Sequence, residues 1–155
     1  MSKIILCDID GTVANNSHRQ IYVRNKPKNW KAYNQNMSKD TPIKEVLWLL
    51  SVLENAPGDY VQIVFLSGRE ETHRETTISW LDEYTSEFGF QYQGLYMRPA
   101  KDYRDDSIVK YELWQKVKED FPNDEIMMVL DDRDRVVKMW RENGLRCMQV
   151  DYGDF

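Results

Sequence analysis

The sequence predicts an α/β fold: a mostly parallel sheet covered by helices on both faces. Short apolar runs alternate with segments of helical period along the chain, the pattern of successive β-α units. Acidic or phosphate-binding residue types stand just beyond three of those runs, where open α/β sheets keep their chemistry. A length of 155 residues allows one substantial core, so a single domain over residues 1–155 is expected.

The first strand is predicted at Ile4 to Cys7, followed by Asp8 and Asp10. Residues 13–40 show no clear periodicity and are expected to form a mobile insertion over the site. Thr41 as cap and Pro42 at the first helical position then open a helix carrying Ile43, Val46, Leu47, Leu50 and Leu53 at helical spacing. The second strand, Val61 to Leu66, leads through Ser67-Gly68-Arg69 into a helix marked by Ile78, Leu81 and Tyr84. A third strand at Leu95 to Met97 precedes a helix with Ile108, Val109, Leu113, Trp114 and Val117. The fourth, Ile126 to Leu130, runs into Asp131-Asp132 and a helix with Val136, Val137 and Trp140 that ends near Gly144. Arg146 to Val150 complete the sheet. Trp48, Trp80, Trp114 and Trp140 fall on predicted helices and read as packing residues.

With 41% apolar and 30% charged residues the composition is that of a soluble globular enzyme and excludes a disordered or disulfide-scaffolded chain. No apolar run reaches the roughly 20 residues a membrane span needs. Met1-Ser2-Lys3 leads straight into a strand-like run, not a secretory segment. Together with only two cysteines, Cys7 and Cys147, both read as packing residues, these features make a cytoplasmic location the expectation. The net charge of −5 is unevenly spread: residues 11–39 hold no Asp or Glu but carry Arg19, Arg24, Lys26, Lys28, Lys31 and Lys39. Tyr22, Trp30 and Tyr33 interleave with those cations, a pattern shared by solvated loops and nucleic-acid-binding surfaces.

In a parallel sheet the ends of the first, second and fourth strands lie on one edge, so Asp8, Asp10, Ser67, Arg69, Asp131 and Asp132 can converge. Clustered carboxylates raise one another's pKa unless a cation neutralises them, and an all-oxygen set with few carboxylates suits Mg²⁺. Calcium loops are excluded: after Asp8 the glycine comes two positions early and the twelfth position is Arg19, while after Asp131 a ligand position is Arg133. His18 and His73 are too few and too far apart for a zinc site. Taken alone, Asp131-Asp132 would serve equally as a cap for the helix that follows.

DIDGT at 8–12, SGR at 67–69, Lys110 near a helix start and DDR at 131–133 resemble the four ordered signatures of the haloacid dehalogenase (HAD) superfamily of phosphotransferases. More narrowly, SGRE, RDDSIVK at 104–110, DDRDRVVKMWRENG at 131–144 and the final GDF resemble the 3′-phosphatase domain of phage-type polynucleotide kinases over nearly the full length. The resemblance implies a Rossmann-like HAD fold with central strand order 5-4-1-2-3 and a small cap. It also implies Mg²⁺ dependence and removal of 3′-phosphates from DNA or RNA ends through an aspartyl-phosphate. By position it implies Asp8 as nucleophile, Asp10 as general acid/base, and Ser67 and Lys110 as phosphate holders. Asp131 and Asp132 join Asp8 and Asp10 on the metal side. Thr12, Arg19, Gly68, Arg69 and Asp106 serve the phosphate or substrate, or orient Lys110. No Gly-Lys dipeptide occurs for a phosphate-binding loop, so a kinase half and phosphorylation of 5′ ends are not expected of this sequence. Expected partners are nucleic-acid ends bearing 3′-phosphate and no membrane; a homo-oligomer and a separate kinase or ligase stay open. The same signatures also fit a nucleotidase for free mononucleotides or a catalytically silent binder of nucleic-acid ends.

Overall fold

The KIILC run of β1 (Lys3–Cys7) is apolar on both sides, as a strand must be when helices cover both faces of a parallel sheet. In the computed structural model, which describes residues 2–155, β1 lies at the centre of a five-stranded sheet. After it come β2 (Ala14–Asn15), α1 (Ile21–Arg24), α2 (Trp30–Gln35), β3 (Thr41–Pro42) and α3 (Lys44–Glu54). There follow β4 (Val61–Glu70), α4 (Arg74–Phe88), β5 (Gly94–Arg98), α5 (Asp106–Asp120), β6 (Glu125–Asp131), α6 (Asp134–Glu142) and β7 (Cys147–Gln149). The sheet runs β5-β4-β1-β6-β7 with every neighbouring pair parallel. Counting only these five strands, this is the expected 5-4-1-2-3 order seen from the opposite edge.

Side chains alternate along β1. Ile5 and Cys7 join one core with Leu47 and Leu50 of α3 and Trp80 and Leu81 of α4. Ile4 and Leu6 join the other with Leu113 and Val117 of α5 and Val137 and Trp140 of α6. Trp80, Trp114 and Trp140 are buried as predicted, but Trp48 is 62% exposed. The stripe of α3 that meets the sheet is Val46, Leu47 and Leu50, and one residue past Leu47 the helix has turned about 100° away. Cys7 and Cys147 are buried free thiols. Among the described residues no helix is long and apolar enough to cross a membrane.

Two local departures shape the site. Thr41 and Pro42 neither cap nor open α3. They pair antiparallel with Asn15 and Ala14, and Ile43 donates its N–H to the Val13 carbonyl at 2.7 Å. A proline, lacking an N–H, is tolerated in such a two-residue edge strand. This ribbon is the stem of residues 16–40, the interval without clear periodicity, which holds α1, α2 and 3₁₀ turns at Ser17–Arg19 and Met37–Lys39. Elements of three to six residues are too short to show a period. The segment is also fastened to the body: Met37 is buried, and the Asp40 carbonyl accepts the Trp80 Nε1–H at 2.8 Å. The second departure is in β4, which continues past Leu66 to Glu70. Ser67 faces Met97 and Glu70 faces Arg98, so Gly68 and Arg69 bulge out of the ladder. Such a bulge re-aims side chains at a strand end.

Candidate active site

Asp8 follows β1 directly, its N–H donating to the Leu130 carbonyl at 2.9 Å. The chain then turns sharply: the N–H groups of Val13 and Ala14 both reach the Ile9 carbonyl at 2.9 Å, and the Thr12 hydroxyl donates to Asp8 Oδ2 at 3.0 Å. Gly11 makes this turn at φ +81°, and a Cβ there would sit 2.0 Å from Asp132 Oδ2. Only glycine fits. Lys110, one turn after Asp106 on α5, brings Nζ to 2.8 Å from Asp8 Oδ1, 3.0 Å from Asp131 Oδ2 and 3.5 Å from Asp106 Oδ2. Asp131 is itself oriented, with Oδ1 accepting the Asp132 N–H at 2.9 Å and Oδ2 accepting the Trp140 Nε1–H at 3.3 Å.

Asp8, Asp131 and Asp132 are buried and each offers an oxygen within 4.8 Å of the other two. Two of them, Asp8 and Asp131, bond the Lys110 ammonium directly, and Asp132 adds a third carboxylate beside them. Burial and then the Asp131 charge raise Asp8 well above the usual carboxylate range, against the pull of Lys110. Burial pushes Asp132 up to about 6, with the Asp131 charge adding to it. Lys110, whose burial alone would lower its pKa, is held well above its ordinary value by Asp131, Asp8 and Asp106. An oxygen-only donor set with excess negative charge, which a hard divalent cation would balance, fits such an ion.

Asp10 points elsewhere. Its carboxylate receives Arg69 Nε and Nη2, the latter at 2.7 Å, and Arg19 Nη2 at 2.8 Å. Burial alone would raise its pKa, but the Arg69 guanidinium, with Arg19 and Lys110, brings it below the usual value. Of the four acids expected to face a metal, the structure therefore gathers the side chains of three and ties the fourth to arginines. Both arginines also bind Asp40, Arg19 through Nε and Nη2 at 2.8 and 2.7 Å and Arg69 through Nη2 at 3.1 Å; His18 Nε2 lies 2.8 Å from the same carboxylate. Arg19 is fully buried, with its guanidinium carbon 4.2 Å above the Tyr33 ring. Ser67 is buried, its hydroxyl accepting the Arg69 N–H at 3.1 Å. A Cβ on Gly68 would meet Asp106 Oδ1 at 2.2 Å, so the bulge and the start of α5 touch through glycine alone.

Sequence reasoning missed Asp40, Arg98 and the polar role of Trp140. Asp40 had a signal, being the first acid after the acid-free stretch. Arg98 ends β5 and donates to the carbonyls of Gly68, Asp102 and Arg104 at 2.8, 3.1 and 2.7 Å and to Asp106 Oδ1 at 3.1 Å. Its one cue was its place at a strand end.

The family described as the polynucleotide kinase PNKP phosphatase domain matches residues 2–155. A putative bifunctional polynucleotide kinase/RNA ligase of Autographa californica nuclear polyhedrosis virus is 30% identical over 140 residues, 90% of this chain and 18% of that protein. Two solved structures, of the Pnkp1/Rnl/Hen1 complex and the Pnkp1/Rnl/Hen1 RNA repair complex, contain chains 33% and 34% identical with TM-scores of 0.76 and 0.75. They cover all of this chain and 47% and 44% of those chains. The HAD domain of the effector protein Lem4 of Legionella pneumophila, 12% identical with a TM-score of 0.52 over 99% of this chain and 88% of that one, shares the fold alone. This chain thus spans under half of the first two structures and about a fifth of the viral relative. With the family matched from end to end and the acids and lysine gathered at the sheet edge, the chain belongs to the polynucleotide kinase PNKP phosphatase-domain family of the HAD superfamily.

Proposed function

We propose that this domain is a Mg²⁺-dependent phosphatase that removes 3′-phosphates from DNA or RNA ends. The observation that carries the reading is the buried set of Asp8, Lys110, Asp131 and Asp132 beside an arginine-clamped Asp10, in a chain whose family is a polynucleotide kinase phosphatase domain. Relatives described as a polynucleotide kinase/RNA ligase and as part of an RNA repair complex support nucleic acid as substrate. They also support a kinase or ligase module as a working neighbour. The acid-free segment that carries the buried Arg19 also supplies five exposed cations, Arg24, Lys26, Lys28, Lys31 and Lys39, the charge a polyanion would meet.

In this reading an Asp8 carboxylate oxygen attacks phosphorus in line. The P–O3′ bond breaks as the O–P bond forms, and Asp10 gives the leaving 3′-oxygen its proton. Asp10 then takes a proton from the water that hydrolyses the aspartyl-phosphate, freeing Asp8 and phosphate. The arginine clamp favours the carboxylate form of Asp10, which the second half needs. An arriving phosphate competes for Arg69 and Arg19, and that loosening lets Asp10 carry a proton for the first half. Lys110 and Ser67, with Thr12 orienting Asp8, hold and neutralise the phosphoryl oxygens, the main requirement of such transfers. Mg²⁺ held by Asp8, Asp131 and Asp132 would supply further charge neutralisation at those oxygens.

The test is phosphate release, with and without Mg²⁺, from a 3′-phosphorylated oligonucleotide and from 3′- and 5′-mononucleotides. Release from the oligonucleotide should dominate and require the cation. Preference for mononucleotides would make the protein a nucleotidase, and DNA binding without release would make it a silent end binder.

A further inference from the structure

One exposed aromatic ring is joined to the site by an unbroken series of contacts. Asn29 caps α2 by accepting the Ala32 N–H at 3.1 Å, which fixes Trp30 at the start of that helix. The Trp30 ring meets Tyr33 edge-on with centroids 5.6 Å apart. Tyr33 in turn lies under the Arg19 guanidinium at 4.2 Å and accepts the Asn16 side-chain N–H at 3.1 Å. Arg19 holds Asp10. At the outer end of this path Trp30 is 54% exposed, and Lys28 Nζ sits over its ring, 5.6 Å from the centroid. Single exposed apolar side chains are ordinary on protein surfaces. Trp48, exposed on α3, is such a case. Trp30 differs in standing at a capped helix start, in lying within the acid-free segment and in leading through Tyr33 and Arg19 to the proposed acid/base.

An exposed aromatic ring beside a lysine is the recognition chemistry of single-stranded nucleic acid, because every base offers a π-face and every linkage a phosphate. We propose that Trp30 is a stacking platform for an unpaired base of the strand whose 3′-phosphate is removed, with Lys28 meeting the adjoining backbone. The domain therefore acts on single-stranded or frayed ends in preference to blunt duplex ends. This inference rests on the nucleic-acid reading above and specifies its substrate.

Steady-state kinetics of Trp30→Ala and Trp30→Phe test it. The substrates are a 3′-phosphorylated single strand, the same strand with abasic residues near its 3′ end, a blunt duplex and p-nitrophenyl phosphate. Trp30→Ala should raise KM for the single strand about 5- to 150-fold, the range stacking on an aromatic residue accounts for, with kcat nearly unchanged. Trp30→Phe should keep most of the affinity, and hydrolysis of the aryl phosphate should not change. Abasic residues should weaken the wild-type protein by a similar factor and add little to Trp30→Ala. An unaltered KM in Trp30→Ala, a loss shared by the aryl phosphate, or fully additive losses with the abasic strand would overturn the platform. Failure of the underlying reading has a different signature: wild-type protein releasing no phosphate from any 3′-phosphorylated strand.

Discussion

Two buried ion clusters stand side by side at the carboxyl edge of the sheet, and alternate residues of one short stretch feed them. Around Asp8, three carboxylates gather beside one ammonium: Lys110 bonds Asp8 and Asp131 directly, and Asp106 lies 3.5 Å from it. Around Asp10, two carboxylates, Asp10 and Asp40, meet two guanidiniums, Arg19 and Arg69. The second cluster is balanced and densely hydrogen-bonded, the condition under which buried charge holds itself together. The first carries excess negative charge that the rest of the fold must restrain until a cation arrives. Removing one acid should therefore have opposite effects on stability in the two places, although Asp8 and Asp10 are only two residues apart in the chain.

The largest expected effect tests the over-acidic side. Asp8→Asn should lower phosphate release by on the order of 10⁴-fold or more, as loss of a nucleophile does, while its thermal midpoint in EDTA holds or rises because one repelling charge is gone. Full turnover by this variant would remove Asp8 from the chemistry, and a sharp fall in its midpoint would contradict the charge argument. The balanced side should respond the other way. Asp40→Ala leaves two buried guanidiniums to share Asp10 alone and should cost about 3–5 kcal/mol in urea denaturation, the usual penalty for breaking a buried pair. Equal midpoints for Asp40→Ala and wild type would erase the distinction between the clusters.

A third, smaller effect follows from titration. Asp132, pushed up to about 6, keeps its proton in the fold at pH values where the unfolded chain has lost its own. The metal-free fold should weaken as pH rises from about 4 to about 6, the window in which the native state binds the extra proton. Mg²⁺ offsets that ionisation, so its stabilisation should be greatest above about pH 6 and shrink below it. At a hundredfold excess over its Kd the cation should add about 2.7 kcal/mol, roughly 5–10 °C in thermal midpoint for a chain of this length. An increment that does not change between pH 5 and 7.5 would place the ion away from Asp132.

The same comparison explains what could be read from sequence. The over-acidic cluster was legible because its acids stand at strand ends, where topology alone brings Asp8, Ser67 and Asp131 to one edge, whereas Lys110, inside a helix, was legible only through the family resemblance of the RDDSIVK run. The balanced cluster was half hidden. Arg19 and Asp40 come from the segment between β2 and β3, whose helices of four and six residues carry no periodic signature, and Asp40 reaches the site only through the ribbon that Thr41 and Pro42 make. Read locally, Pro42 signals a helix start; the pairing that overrides it is a long-range contact. Trp48 fails for a related reason, since helical period locates a stripe without fixing its edges.

Arg98 joins the two clusters and gives the smallest effect, one that still separates a positioning role from a structural one. Its guanidinium bonds the Gly68 carbonyl in the bulge that carries Ser67 and Arg69, and bonds Asp106, which faces Lys110. It touches none of Asp8, Asp10, Asp131 or Asp132 in the contacts described. Arg98→Lys keeps the charge but cannot span four acceptors with one ammonium. It should lower kcat about 10-fold, within the range typical of groups one bond behind a reacting centre, with KM and thermal midpoint little changed. If Arg98 acts through Asp106 on Lys110, then Arg98→Lys combined with Asp106→Asn should lose no more than the worse single variant. Added guanidinium should restore part of the activity of Arg98→Ala. Fully additive losses, or a fall in kcat that only mirrors a fall in stability, would reduce Arg98 to a strut for the 102–104 loop.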